Sequence, residues 1–322
     1  MENPKRGILA TLIHISDLHF GSKLGNDESA LRKFLASLPL VTGLYPHSFQ
    51  VARSLSVRIR QIIENRKAAG VALCVVCTGD LTRGGELDEF TVASTFLRKS
   101  HAVGAGDSVG LELGPNRTTI RPRKSGLFII PGNHDIWRRS NPQEYGAFQG
   151  HFQDNYPTEC KLELELRPIY LYGLDTTRNT ELRHRLARGK LSSDQLEKVC
   201  KLLRKRSGNL QIVCLHHPLR DPIRSNSAIT MQLEDRDAIG EALADAGANL
   251  VLAGHVHVAD VQAARNGRTP HHVIAGTALQ QFSDCSFNLI DIYADRVSIQ
   301  IVKYYRNKKQ FDIDGLSYNL PI

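Results

Sequence analysis

Five times along this 322-residue chain, a run of strand-forming apolar residues stops at a turn carrying Asp, Asn or His. Ile8 to Ile15 leads to Asp17 and His19, Val71 to Cys77 to Asp80, and Leu127 to Ile130 to Asn133, His134 and Asp135. Leu210 to Leu215 leads to His216, and Leu250 to Ala253 to His255 and His257. In an open α/β sheet the ligand crevice lies beyond the carboxyl ends of the strands, where loops from different strands meet. Histidines scattered through a core have no reason to fall in register with strand ends. The pattern therefore predicts that the five polar clusters converge.

Each cluster alone has a plainer reading. Asn and Asp favour turns because their side chains bond nearby backbone, and a lone His at a strand end is ordinary on a surface. Taken together, carboxylates and imidazoles form a donor set suited to Zn, Mn, Fe or Co, and its richness in histidine argues against an all-oxygen calcium cage. Two such ions about 3.5–4 Å apart need a shared carboxylate to offset their repulsion. Two Asp, one Asn and four His are enough for two open sites.

The remaining pattern sets the layout. Phe49, Ala52, Leu55, Ile59, Ile62 and Ile63 are spaced as one helix face, with Gly70 placed to end it. Val71 to Cys77 is nearly all apolar, as in a strand buried on both faces. A helix through Phe90 and Phe96 follows, then His101 to Ser125, rich in glycine and expected as a surface excursion. A second excursion is expected near 24–47, with a short helix around Ser29 to Leu38, and Asn141-Pro142 is placed to start another helix. Lys161 to Leu166 and Pro168 to Leu174 read as strands, Ser192 to Gln195 as a capping box, and Ile239 with Leu243 as a helix face. Hairpin-like strands run from Val261 to Tyr304, with Asn266-Gly267 as a turn. No boundary interrupts this order, so residues 1–322 are expected to form one α/β domain.

Composition narrows the function. With 41% hydrophobic and 23% charged residues the chain is an ordinary globular protein, and its apolar runs are too short to span a membrane. The first residues lack the apolar core of a secretion signal, so a cytoplasmic setting with six reduced cysteines is expected. Cys74 and Cys77 match a C-x-x-C string, but on a strand they point to opposite faces and cannot share a metal or a disulfide. The excess of 41 basic over 33 acidic residues, a formal charge of +8, suits an anionic ligand. No aromatic residues interleave with the basic ones as a nucleic-acid platform requires.

The blocks Asp17-Leu18-His19, Gly79-Asp80, Gly132-Asn133-His134-Asp135, His216 and Gly254-His255-Val256-His257 resemble, in order, those of the calcineurin-like metallophosphoesterase superfamily. The wording of His14 to Phe20, Thr78 to Thr82 and His216-His217-Pro218 is similar to the bacterial branch that includes class III cyclic-nucleotide phosphodiesterases. The resemblance implies a four-layer αββα sandwich of two mixed β-sheets flanked by helices. It implies two divalent ions (Mn, Fe, Zn or Co), one held by Asp17, His19 and His257, the other by Asn133, His216 and His255, with Asp80 bridging. His216 rather than His217 is the implied ligand, since the family's histidine stands at the strand end. His134 is the implied catalytic acid facing the phosphate, and Asp135 either orients it or closes the turn. Arg83, Arg138 and Arg139 adjoin the site loops. The implied reaction is hydrolysis of a small anionic phosphodiester by in-line attack of a metal-bridging hydroxide.

Two other functions share the blocks. A DNA exonuclease-like enzyme of this superfamily usually carries a sizeable capping region after the last block, whereas the tail here is short. A metal-bearing scaffold without turnover has no use for His134. The protein Ser/Thr phosphatase branch carries Glu after Asn-His and a different Gly-Asp block, unlike Asp135 and Gly79 to Gly84 here.

Overall fold

The computed structural model describes residues 7–21, 49–104, 107–115, 117–136, 148–152, 156–165, 167–177, 187–223, 232–265, 267–279 and 284–322. The excursion expected near 24–47, the helix expected from Asn141, and Arg138 with Arg139 lie outside the described residues.

In chain order the elements are β1 (Ala10–Ile15), α1 (Phe49–Ala68), β2 (Ala72–Cys77), α2 (Leu87–Arg98), β3 (His101–Gly104), β4 (Asp107–Val109), β5 (Thr119–Ile120) and β6 (Ser125–Ile129). There follow β7 (Thr158–Leu162), β8 (Ile169–Gly173), α3 (Ser193–Lys205), β9 (Leu210–Cys214), α4 (Arg236–Asp245), β10 (Leu250–Ala253), β11 (Asp260–Gln262) and β12 (His271–Ile274). The last are β13 (Ser286–Ile292), β14 (Arg296–Tyr305) and β15 (Gln310–Pro321). One sheet has the order β15-β14-β13-β1-β2-β6, the other β11-β12-β10-β9-β8-β7-β5. Both are mixed. β1, β2 and β6 run parallel, while β13 pairs antiparallel with β1. β8, β9, β10 and β12 run parallel, while β7 is antiparallel to β8, β11 is antiparallel to β12, and β5 runs parallel to β7.

Alternation along β9 shows how the layers are made. Leu210, Ile212 and Cys214 join the core between the sheets, while Val213 and Leu215 join a second cluster with Val199, Leu203, Ile239 and Leu243 of α3 and α4. Period-2 side chains thus bury one face of the strand against the other sheet and one against helices. On the other side, Leu55 and Ile59 of α1 and Phe90 and Phe96 of α2 are fully buried. Each such side chain contributes about 1.5–3 kcal/mol of hydrophobic stabilisation. The result is two mixed sheets flanked by helices, as the resemblance implied. No helix among the described residues is long and apolar enough to cross a membrane.

Three local expectations change. His101 to Ser125 holds the hairpin β3-β4 and the strand β5, which adds to the second sheet beside β7. Val109, Leu111 and Leu113 are buried there, and Arg60 of α1 donates to Ser108 Oγ at 2.6 Å, so tertiary contacts override the glycines. The capping box at α3 is half made. Ser192 Oγ accepts from Gln195 N at 3.3 Å, but the Gln195 amide bonds both backbone groups of Asp175 at 3.0 and 3.1 Å, tying the helix to the loop after β8. Beyond Tyr304 the sequence pattern indicates no strand, yet β15 pairs along the length of β14. As an edge strand with Asp314, Gly315 and Ser317 on its path, it carries little hydrophobic alternation.

All six cysteines are buried and unpaired. Burial pushes the Cys74 thiol up, with Cys160 and Cys214 adding to it, whereas Cys77 senses Asp135, Asp17 and Asp80. The two residues face different surroundings, as their spacing on β2 requires.

Candidate metal centre

Parallel strands β1, β2 and β6 of one sheet and β9 and β10 of the other end on the same side, and the polar turns extend from those ends. Successive bonds knit the turns together. Asp17 N donates to Gly79 O, His19 N to Asp80 O, and Gly254 N to His216 O, at 2.9–3.1 Å. Asp17, His19, Asp80, His255 and His257 all have positive φ, five of the nine non-glycine residues among the described residues that do. Such backbone costs on the order of 1–3 kcal/mol per residue and persists only where the surroundings enforce it. The glycines beside these residues admit the close approach. A Cβ on Gly132 would collide with the Asp80 carboxylate and backbone, and one on Gly254 with the Ser16 hydroxyl.

The seven expected ligand residues come together. His257 Nε2 is 3.2 Å from Asp17 Oδ1 and 3.1 Å from His19 Nε2, and His19 Nε2 is 3.7 Å from Asp17 Oδ1. On the other side His216 Nε2 is 3.0 Å from Asn133 Oδ1 and 3.2 Å from His255 Nδ1. Asp80 Oδ2 stands between them, 3.7 Å from His19 Nε2 and 3.4 Å from His216 Nε2. Donors about 2.1 Å from a common ion are about 3.0–3.4 Å apart along the edges of an octahedron or tetrahedron, and most of these separations fall near that range. Asp17-His19-His257 and Asp80-His216-His255 each form a group compact enough for one ion, as does His19-Asp80-His134.

Supporting bonds set which ring nitrogens face inward. His216 Nδ1 donates to the Thr78 carbonyl at 2.6 Å, leaving Nε2 towards Asp80 and Asn133. His255 N donates to Asp17 Oδ2 at 3.0 Å, and Thr277 Oγ1 donates to Asp17 O at 2.9 Å. Asp17 Oδ1 is buried and faces the His257 and His19 rings at 3.2 and 3.7 Å. An ionised carboxylate oxygen in that position is what a cation would satisfy.

The electrostatics agree. Burial opposes ionisation of Asp17 and Asp80, yet His257 for the first and His216 and His134 for the second hold both carboxyls far below the usual range. Burial also opposes a charge on His216, but Asp80 and Asp17 raise it to about 9. Burial pushes His19 down to about 4 and His255 to about 3. Two ionised carboxylates thus favour positive charge in a pocket where burial keeps His19 and His255 neutral. The donor set fits divalent ions.

His134 N donates to Asp80 Oδ1 at 2.8 Å, and its Nδ1 donates to Arg83 O at 2.8 Å. Its ring meets His19 edge to face, with centroids 4.7 Å apart. The contribution of Arg83 visible here is therefore its carbonyl. Asp135 accepts from Thr82 N, Thr82 Oγ1 and Gly132 N, each at 2.9 Å. It latches the Asp80 loop to the Asn133 loop, and the open choice for this residue resolves to the turn. Burial and Asp80 raise its carboxyl to about 7. His217 packs beside the cluster without adding a donor atom to its metal-sized groups. Its Nδ1 meets Thr176 Oγ1 at 2.7 Å, and its ring packs on His255 with centroids 4.4 Å apart. Sequence reasoning missed Thr78, Thr82 and Thr277. Small hydroxyl residues next to a motif carry no signal until their partners are known.

The chain resembles solved structures at the level of fold. A dimetal phosphatase from Danio rerio aligns with 14% identity over 91% of this chain and 96% of its own, with a TM-score of 0.54. PhoD aligns with 9% identity over 97% of this chain and 73% of its own, with a TM-score of 0.51. No curated protein sequence matches the chain. The family profile described as calcineurin-like phosphoesterase matches residues 10–259, a span that holds all seven clustered side chains and His134. The chain belongs to the calcineurin-like phosphoesterase family.

Proposed function

We propose that this protein is a binuclear metal-dependent phosphodiesterase acting on a small phosphodiester such as a cyclic nucleotide. The observation that carries the proposal is the position of Asp80, whose Oδ2 lies between His19 at 3.7 Å and His216 at 3.4 Å. A carboxylate shared by two donor groups is what a pair of ions needs to stay close. Asp17, His19 and His257 would hold one ion, Asn133, His216 and His255 the other, and Asp80 would serve both. When bound, the ions supply Lewis acidity, acidifying a water for in-line attack and offsetting charge on the phosphate.

The chain contributes orientation and a proton. Thr78 keeps the His216 ring in one tautomer, as supporting groups of metal ligands generally do. The Arg83 carbonyl holds the His134 Nδ1 proton, so Nε2 is the nitrogen that gains and loses the second proton. That is the proton delivered to the leaving oxygen. The basic balance of the chain favours an anionic substrate.

Metal-replete protein with Mn²⁺ is expected to cleave bis-p-nitrophenyl phosphate faster than p-nitrophenyl phosphate, and to act on some member of a panel of cyclic nucleotides and glycerophosphodiesters. Preference for the monoester makes the protein a phosphomonoesterase, and degradation of linear DNA at physiological salt makes it a nuclease. Metal uptake with no hydrolysis leaves a scaffold.

A further inference from the structure

We infer that His14, outside the donor set, is a positioning residue for the metal ligand His216, acting through Thr78. The inference rests on the two-metal reading of the site. His14 lies on β1 directly opposite Asn288 of β13, and His14, Thr78, Asn288 and His216 are all fully buried. Asn288 Nδ2 is 3.0 Å from Ile274 O and 3.3 Å from His14 Nδ1. A carbonyl only accepts, so the Ile274 bond fixes which end of the Asn288 amide is the donor. His14 Nδ1 is then an acceptor, and the ring proton sits on Nε2. That nitrogen is 3.0 Å from Thr78 Oγ1 and donates to it.

Thr78 is the hinge of the chain of bonds. Its N–H is tied to Ile15 O at 3.1 Å, its hydroxyl to His14, and its carbonyl takes the Nδ1 proton of His216 at 2.6 Å. With both the amide and the side chain held, the carbonyl has one direction. His216 then has one tautomer, with Nε2 facing Asn133 and Asp80. The hydrogen bonds run from β13 through β1 and the end of β2 to the ligand after β9, and so across both sheets. A polar chain of this length inside a core costs desolvation wherever a member is unbonded, as Asn288 Oδ1 is. Packing alone gives no reason to place His14 in it.

The test is Co²⁺ titration of the metal-free protein, followed by visible absorption, with thermal melting as the check on folding. Wild type is expected to take two ions in two steps. His14→Phe fills the space but donates nothing, and should weaken the ion at His216 by about 10–100-fold, the range for supporting residues of metal ligands. The ion at Asp17, His19 and His257 should stay within about threefold. Thr78→Val should give the same selective loss, and the double variant should be no weaker than either single one, because the chain is already cut. His14→Gln restores a donor towards Thr78 and should recover most of the affinity. The inference is overturned by folded His14→Phe and Thr78→Val proteins that bind both ions like wild type, or that weaken both ions alike. A wild type that takes up no ion removes the two-metal reading, and this inference with it.

Discussion

The Asp80 carboxylate and the His216 imidazole, both buried and brought from turns on different sheets, meet at 3.4 Å. Burial opposes ionisation of both, yet each holds the other in its charged form when the pocket is free of metal. On the two-metal proposal, a divalent ion would take over the role that the His216 proton plays in that pair.

Asp80→Asn keeps the shape but removes the charge shared between the two donor groups. Elemental analysis after reconstitution should find fewer than two ions per chain, and turnover should fall by more than the about 10–100-fold typical of a supporting residue. Two tightly held ions in this variant would show that Asp80 does not bridge.

His134→Gln removes the second proton while leaving every proposed ligand in place. Both ions should remain. Turnover should fall by about 10²–10⁴-fold for substrates with poor leaving groups, and far less for a p-nitrophenyl ester, whose leaving group needs no proton. An equal loss on both substrates would assign His134 to phosphate binding or metal holding instead.

Gly132→Ala drives a Cβ into the Asp80 carboxylate and backbone. Melting temperature should fall, with a loss of about 1–3 kcal/mol in stability, and metal affinity should fall with it. Gly150, whose Cβ meets nothing within 4 Å, serves as the control, and Gly150→Ala should leave metal content unchanged.

His272 lies outside the donor set and contributes to an acid limit. Burial, with Arg220 adding to it, lowers this histidine from 6.5 to about 3. Between those values the unfolded chain binds a proton that the native state does not. Stability from this group is therefore complete above about pH 6.5 and declines as pH falls towards 3, by up to about 1.4 kcal/mol per pH unit. In urea unfolding of the metal-free protein from pH 7 to 4, His272→Gln should show a shallower loss than wild type. Parallel curves would mean that the histidine takes up its proton in the folded state.

The sequence by itself determined which residues stand at strand ends, because a buried strand must be apolar and the turn after it need not be. That was enough to single out Asp17, His19, Asp80, Asn133, His216, His255 and His257, and with them the family. It did not reveal β15, whose edge position leaves one side in solvent and blurs the period-2 signal, nor the hairpin inside His101 to Ser125. Only the tertiary structure decided that Asp135 latches two loops, that His217 bonds Thr176 rather than joining the cluster, and that His14 connects through Thr78 to His216. Hydrogen bonds between residues distant in the chain leave no periodicity. They depend on strand order and register, which are fixed when the two sheets pack.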